Sequence, residues 1–149
     1  MRPAVWIAII TIAIGASVSA QSLQEQALCS AQAKTTFQED AAKDQAESNK
    51  LGMHIISFDY QSHYNTKIKR CLILTTQMYD WGGEISTSKN LYDAFERRDY
   101  AGYLWTSKKD KKYWEVPPVS CELTLSYGQT KSCKSEAEFN GFVAEYMEQ

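Results

Sequence analysis

The predicted fold depends most on one stretch of this 149-residue chain, His54-Ile55-Ile56-Ser57-Phe58-Asp59-Tyr60-Gln61. From its third residue onward, apolar and polar side chains alternate, and a period of two is typical of a half-buried β-strand. The sequence before this stretch has the composition of a helix. The sequence after it consists of short apolar runs separated by turn residues. The stretch therefore marks the point where a helix gives way to a sheet.

A long helix is predicted before this strand, over residues 21–51. The segment is rich in Ala, Gln, Glu and Lys and contains neither Pro nor Gly, and Gly52 provides a natural stop. Its apolar stripe becomes thin beyond Phe37, so we expect the second half of the helix to face solvent or to fray. The side chains expected near the buried face are Leu28, Cys29, Ala33 and Phe37.

Further strands joined by short turns are predicted after residue 61. Residues 64–67 are expected to form a turn, and residues 84–90 a polar loop. The run 107–112 contains four lysines and is expected to be an exposed hairpin tip. Residues 113–116 would return from this tip as a strand, which the two following prolines end. The other strands are expected at residues 68–78, 100–105 and 121–125.

The last element has the clearest helix signal. Ser135 and Glu138 form a capping box, with the serine as N-cap and the glutamate at the third helical position. Apolar side chains follow at helical spacing, so a helix is predicted from about Glu136 to Met147. The whole order predicts an α+β fold with an N-terminal helix, an antiparallel sheet of four to six strands, and a C-terminal helix packed on the sheet.

Residues 1–20 have the layout of a cleavable signal peptide. Arg2 precedes the apolar run 4–16, and Val18 and Ala20 suit the −3 and −1 positions of a peptidase site. The apolar run is shorter than the roughly 20 residues that a spanning helix needs. We therefore expect residues 21–149 to form one domain that is exported to the periplasm or the exterior and has no membrane span after cleavage.

The charge balance argues against one class of partner. Cleavage after Ala20 would remove Arg2 and no acidic residue, which changes the formal net charge from −2 to −3. A chain of negative charge is not drawn to nucleic acid by bulk electrostatics. We expect the partner to be a protein or an envelope polymer instead.

The four cysteines are predicted to be structural. In an exported protein, an even number of cysteines without a Cys-x-x-Cys motif indicates disulfides rather than a redox or zinc site. Four cysteines allow three pairings. We favour Cys121–Cys133, because these residues would flank a hairpin that turns at residues 127–128, and this choice leaves Cys29–Cys71.

The sequence predicts no metal and no cofactor. It contains neither a Gly-x-Ser-x-Gly nucleophile motif nor a glycine-rich phosphate loop. His54 and His63 are expected on opposite faces of one strand, where they cannot share a metal ion. Asp59 and His63 are expected on the same face, and a carboxylate with an imidazole is able to perform acid–base chemistry. A small hydrolase using this pair is therefore an alternative function.

Aromatic side chains are dense between Phe58 and Tyr127. Their simpler role is core and cross-strand packing. The alternative is a binding surface in which Trp105 and Trp114 flank the lysine-rich tip and stack on sugar rings or grip a protein. These two tryptophans are therefore candidate binding residues.

Two segments resemble parts of small exported bacterial proteins whose function is unknown: Ser62-His63-Tyr64-Asn65-Thr66-Lys67-Ile68-Lys69-Arg70-Cys71 and Leu91-Tyr92-Asp93-Ala94-Phe95-Glu96-Arg97-Arg98-Asp99-Tyr100-Ala101. The resemblance implies a bacterial, exported protein with paired cysteines, and it brings no catalytic residue. It also implies that His63, Tyr64 and Asn65 do more than form a generic turn, which makes them candidate binding residues.

The predicted function is that of a non-enzymatic exported domain that binds a partner or ligand. This prediction depends on the missing nucleophile and metal motifs, the expected disulfides and the surplus of aromatic residues. The alternatives are a small hydrolase based on Asp59 and His63, and a purely structural component of the envelope.

Overall fold

The structure, a computed structural model, describes residues 15–125 and 128–149. It confirms the α+β fold, with one helix at each end of a single six-stranded sheet. All neighbouring strands are antiparallel, and their order across the sheet is the order along the chain. The elements are α1 (Gly15–Leu51), β1 (His54–Asn65), β2 (Arg70–Trp81), β3 (Glu84–Asp93), β4 (Asp99–Thr106), β5 (Ser120–Thr124), β6 (Thr130–Ser132) and α2 (Glu136–Met147).

The two helices cover opposite faces of the sheet. Side chains alternate along β2, so Cys71 and Ile73 pack in the α1 core while Leu72 packs in the α2 core. Helix α2 contacts β1, β4 and β5, and its Phe139 and Val143 are buried. The sheet is thus the middle of three layers, and each of its faces has its own apolar core.

The second half of helix α1 packs on the sheet, which corrects the expectation that it faces solvent or frays. Ser48 is buried near its end, and Asp44 accepts a hydrogen bond from Gln77 of β2 at 3.4 Å. Polar side chains continue the inward stripe here because the sheet offers them partners. The expectation for Leu28 was also wrong, since its side chain is 60% exposed.

The predicted polar loop over residues 84–90 is part of strand β3. Gly82 and Gly83 both have positive φ, 66° and 89°, which lets the chain reverse in two residues between Trp81 and Glu84. The polar side chains of this segment are compatible with a strand because some of them form hydrogen bonds to side chains of the neighbouring strand. Ser86 Oγ, for example, lies 2.9 Å from Thr106 Oγ1 of β4.

The predicted return strand over residues 113–116 is also wrong. Residues Tyr113–Glu115 form a short 3₁₀ turn, and β5 pairs with β4 in their place, with Ser120 opposite Leu104. The indole of Trp105 donates a hydrogen bond to the carbonyl of Val116 at 3.1 Å, and Val116 is buried. This anchor holds the segment against the core, where it cannot extend the sheet.

Helix α2 begins and ends where the sequence predicts. Ser135 Oγ accepts a hydrogen bond from the main-chain N–H of Glu138 at 3.2 Å. The Glu138 carboxylate reaches back one residue further than expected, because it accepts from the N–H of Lys134 at 2.8 Å. The serine cap is therefore present as predicted, whereas the Glu138 carboxylate accepts from the main-chain N–H of Lys134 in place of that of Ser135.

The structure contains both of the favoured disulfides. Cys29–Cys71 joins α1 to β2 with a Cα–Cα distance of 5.1 Å, and Cys121–Cys133 closes the β5–β6 hairpin at 5.0 Å. Residues 1–14 of the predicted signal peptide and residue 127 of the predicted turn lie outside the described residues. Within the described ranges, no helix has both the length and the apolar character that a membrane span requires.

Removing the Cys29–Cys71 disulfide is expected to destabilise the protein more than removing Cys121–Cys133. The bridged cysteines are 42 and 12 residues apart, for which the chain-entropy model gives about 4 and about 3 kcal/mol. The double variant Cys29→Ala/Cys71→Ala should therefore unfold at a lower urea concentration than Cys121→Ala/Cys133→Ala, as measured by circular dichroism. Equal midpoints, or the reverse order, would contradict this assignment.

Candidate functional site

Asn65 joins the β1–β2 turn to the end of α2. Its Oδ1 accepts hydrogen bonds from the main-chain N–H groups of Lys67 and Ile68 at 3.0 and 3.1 Å, while its Nδ2 donates to the carbonyl of Tyr146 at 2.8 Å. The residue is only 2% exposed. This set of contacts lets β1 extend through residue 65 and gives Asn65 a structural role.

His63 and Tyr64 engage different parts of the chain. His63 Nε2 lies 2.7 Å from the main-chain oxygen of Gln149, beyond the end of α2. Tyr64 packs in the α1 core, and its main-chain N–H donates to Gln26 Oε1 at 2.9 Å. Burial raises the pKa of the Tyr64 hydroxyl, and Glu25 raises it further. The three candidate residues at the end of β1 are therefore not brought together in one site.

A β-bulge between Ile55 and Ser57 changes the placement of the two histidines. The strand register puts both His54 and His63 on the face of β2 that carries Leu72, so the expectation of opposite faces was wrong. Nine residues of strand still separate them by roughly 30 Å. Among the residues that the structure describes, no three His, Cys, Asp or Glu side chains are placed to hold a metal ion.

The geometry gives no support to a hydrolase based on Asp59 and His63. The side chain of Asp59 is exposed, and neither residue lines any of the concavities described below. No hydrogen bond joins the two side chains in the described part of the chain. The strand places the pair on one face as expected, but it supplies neither a pocket nor a third group.

The structure separates the two candidate tryptophans. Trp105 is buried against the α2 core, and its ring centroid lies 4.6 Å from that of Tyr113. The expectation that it lines a binding surface is therefore wrong, and the packing interpretation holds for it. Trp114 is 76% exposed, and the Lys112 ammonium lies 5.2 Å from its ring centroid.

Trp114 belongs to a surface that combines aromatic rings with positive charge. All of its members are exposed and close in sequence, and within the described residues none of its lysines forms an ion pair. We call this region the aromatic–lysine surface; it consists of Lys108, Lys109, Lys111, Lys112, Tyr113 and Trp114.

A concavity of about 530 Å³ lies between this surface and the first turns of α2. Its floor is a network in which the Tyr113 hydroxyl donates to Glu136, which also pairs with Lys89. Burial would raise the pKa of the Glu136 carboxyl, but the hydrogen bonds from Lys89 and Tyr113 hold that pKa below its ordinary value. Asn140, one turn further along α2, adds an amide to the lining.

The two segments that carry the resemblance lie side by side. The main-chain N–H of Ala94 donates to the carbonyl of Cys71 at 2.8 Å, and Arg70 pairs with Asp93 and Glu96. A concavity of about 350 Å³ opens here beside the Cys29–Cys71 disulfide. The segments thus form one unit around that disulfide, and the family resemblance itself stays a prediction.

A polar cleft beneath the second half of α1 was missed in the sequence. Asp40 and Asp44 follow Ala33 and Phe37 on the inward face of the helix, as their spacing of three and four residues would have indicated. We call this concavity of about 260 Å³ the α1 cleft; its lining includes Asp40, Asp44, Thr75, Gln77, Arg97 and Asp99.

Comparison with known proteins identifies no relative. No protein-family model, no curated protein and no solved structure matches the chain significantly.

Replacing Asn65 by Ala is expected to lower the free energy of unfolding by about 2 kcal/mol, because one buried side chain supplies three hydrogen bonds. Asn49→Ala is the matched control, since Asn49 is exposed on α1 and accepts only from Gln45. The control should change the stability by less than about 0.5 kcal/mol in urea unfolding. An equal effect of both substitutions would show that Asn65 does not hold the turn.

Proposed function

We propose that this protein is an exported, non-enzymatic binding domain, and that its aromatic–lysine surface contacts an anionic polysaccharide of the envelope. The single observation that carries the proposal is the 76% exposure of Trp114 beside a concavity of about 530 Å³. A large aromatic side chain left in water next to a concave surface is typical of a recognition site.

The chemistry of the surface suits a sugar ring. An indole face packs against the C–H groups of a pyranose, while hydroxyl groups of the sugar find partners at the rim. Asn140 and Glu136 are four residues apart on α2, so both side chains reach the same side of the concavity. The aromatic ring would thus supply contact area and the polar groups would supply orientation.

The lysines argue for an anionic polymer rather than a neutral one. Four of them lie within five residues of the loop, against one acidic residue, Asp110, in the same run. The chain as a whole has a net charge of −2, so this positive charge is local. Local charge of this kind selects an oppositely charged partner and makes binding depend on salt.

Two observations support export. The layout of residues 1–20 is that of a signal peptide, and two disulfides join the described residues. Disulfides persist in oxidising compartments and are rare in reducing ones.

Replacing Trp114 by Ala is expected to weaken binding of alginate, a polyuronate, about tenfold, which corresponds to ~1.4 kcal/mol. The matched control is Trp81→Ala, because Trp81 is also exposed, at 62%, but lies at the end of β2 and does not line the concavity. Isothermal titration calorimetry on the disulfide-bonded protein gives both affinities. Both variants should keep the melting temperature of the parent protein, since both side chains are largely in water.

The contribution of charge to binding is tested with dextran, a neutral glucan, under the same conditions. The protein should bind alginate more tightly than dextran, and added salt should reduce this difference. The proposal fails if neither polymer binds, or if Trp81→Ala weakens binding as much as Trp114→Ala.

A further inference from the structure

The α1 cleft has no part in the proposed function, because it shares no residue with the aromatic–lysine surface or its concavity. Its walls come from α1 and from strands β1 to β4 together with the turn before β4. It is polar although it lies between a helix and a sheet, where apolar contact is the rule. Of its lining residues Thr75 is buried, whereas Arg97 and Asp99 are exposed, so the cleft opens to solvent.

The charged groups of the cleft are unequally matched. Asp40 is fully engaged, because it accepts a hydrogen bond from the Tyr92 hydroxyl at 2.7 Å and pairs with Arg97. Asp44 accepts the 3.4 Å hydrogen bond from Gln77 and forms no ion pair within the part of the chain that the structure describes. Asp99 forms no ion pair or side-chain hydrogen bond in the described part of the chain. Three carboxylates thus line the cleft together with one guanidinium, that of Arg97.

Thr75 provides an independent sign of a ligand. The residue is 4% exposed, and its hydroxyl makes no hydrogen bond in the described part of the chain. No fully enclosed side-chain nitrogen or oxygen there lacks a partner, so the hydroxyl must retain contact with the cleft that Thr75 lines. A hydroxyl that faces the cleft without a partner in the chain is able to accept a hydrogen bond from a bound donor.

We infer that the α1 cleft binds a short aliphatic diamine. One ammonium group is placed between Asp44 and the Thr75 hydroxyl, and the other at Asp99. The rings of Phe58 and Tyr92 also line the cleft, and aromatic faces attract ammonium groups. The volume of about 260 Å³ limits the ligand to a few heavy atoms.

The environment of Asp44 agrees with a cationic ligand. Burial raises the pKa of the Asp44 carboxyl, and the negative charges of Asp40 and Glu47 raise it further. Lys43 and Gln77 act in the opposite direction but do not cancel these effects. A bound ammonium group would stabilise the ionised carboxylate.

The test uses 1,4-diaminobutane as the probe and 1,4-butanediol as its uncharged counterpart, with calorimetry on the disulfide-bonded protein at neutral pH. The diamine should bind and the diol should not. Asp44→Asn and Asp99→Asn should each weaken binding at least tenfold, and Thr75→Val about threefold. Asp59→Asn is the matched control, because Asp59 is exposed on β1 and does not line the cleft; it should leave the affinity unchanged.

Nuclear magnetic resonance locates the bound diamine. The Thr75 methyl signal of the parent protein should shift during the titration, which tests the inference even where a variant fails to fold. The inference is overturned if the diamine does not bind, if the diol binds equally well, if Asp59→Asn weakens binding as much as Asp44→Asn, or if the Thr75 methyl signal does not move. Trp114→Ala should leave diamine binding intact, so the proposed diamine site and the proposed polysaccharide surface are tested independently of each other.

Discussion

The rest of the structure depends on the attachment of α1 to the sheet. The helix has 37 residues, and its apolar stripe ends near Phe37, so burial alone cannot hold its whole length. The Cys29–Cys71 disulfide fixes its first half to the start of β2, and the turn before β4 holds its middle, where Thr36 Oγ1 donates to the carbonyl of Ala94 at 2.9 Å. The second half is thereby placed over the sheet with polar side chains facing inward.

This placement explains why one face of the sheet carries a polar cleft and the other does not. Helix α2 is short and aromatic, and it fills the opposite face with apolar contacts. Helix α1 brings Asp40 and Asp44 over polar positions of β2, where Thr75 and Gln77 continue the period of Cys71 and Ile73. Neither stripe is apolar enough to exclude water here. A space that side chains do not fill therefore remains beneath the long helix, which covers several strands.

The sequence was informative where a local interaction fixes the structure. The Ser135 cap, the alternation over residues 54–61 and the hairpin between Cys121 and Cys133 each depend on neighbours in the chain, and each was predicted. Strand β3 was missed because its first seven residues include Ser, Thr, Lys and Asn, whose strand conformation comes from pairing with β2 and β4. Trp105 lies on the buried row of β4, whereas Trp114 lies in a 3₁₀ turn, and the predicted strand over residues 113–116 did not reveal this difference.

Buried polar residues fall into two groups, according to whether their polar side-chain atoms form hydrogen bonds within the chain. Asn65 and Asp93 are both buried, and both have their polar atoms engaged by turns or side chains. Thr75 is equally buried but lacks a partner for its hydroxyl. A polar residue that is buried and satisfied stabilises a turn, whereas a hydroxyl that faces a cleft without a partner in the chain is able to accept a hydrogen bond from a ligand. By this criterion Asn65 and Asp93 serve architecture, and the sites that we propose for ligands are the α1 cleft and the exposed ring of Trp114.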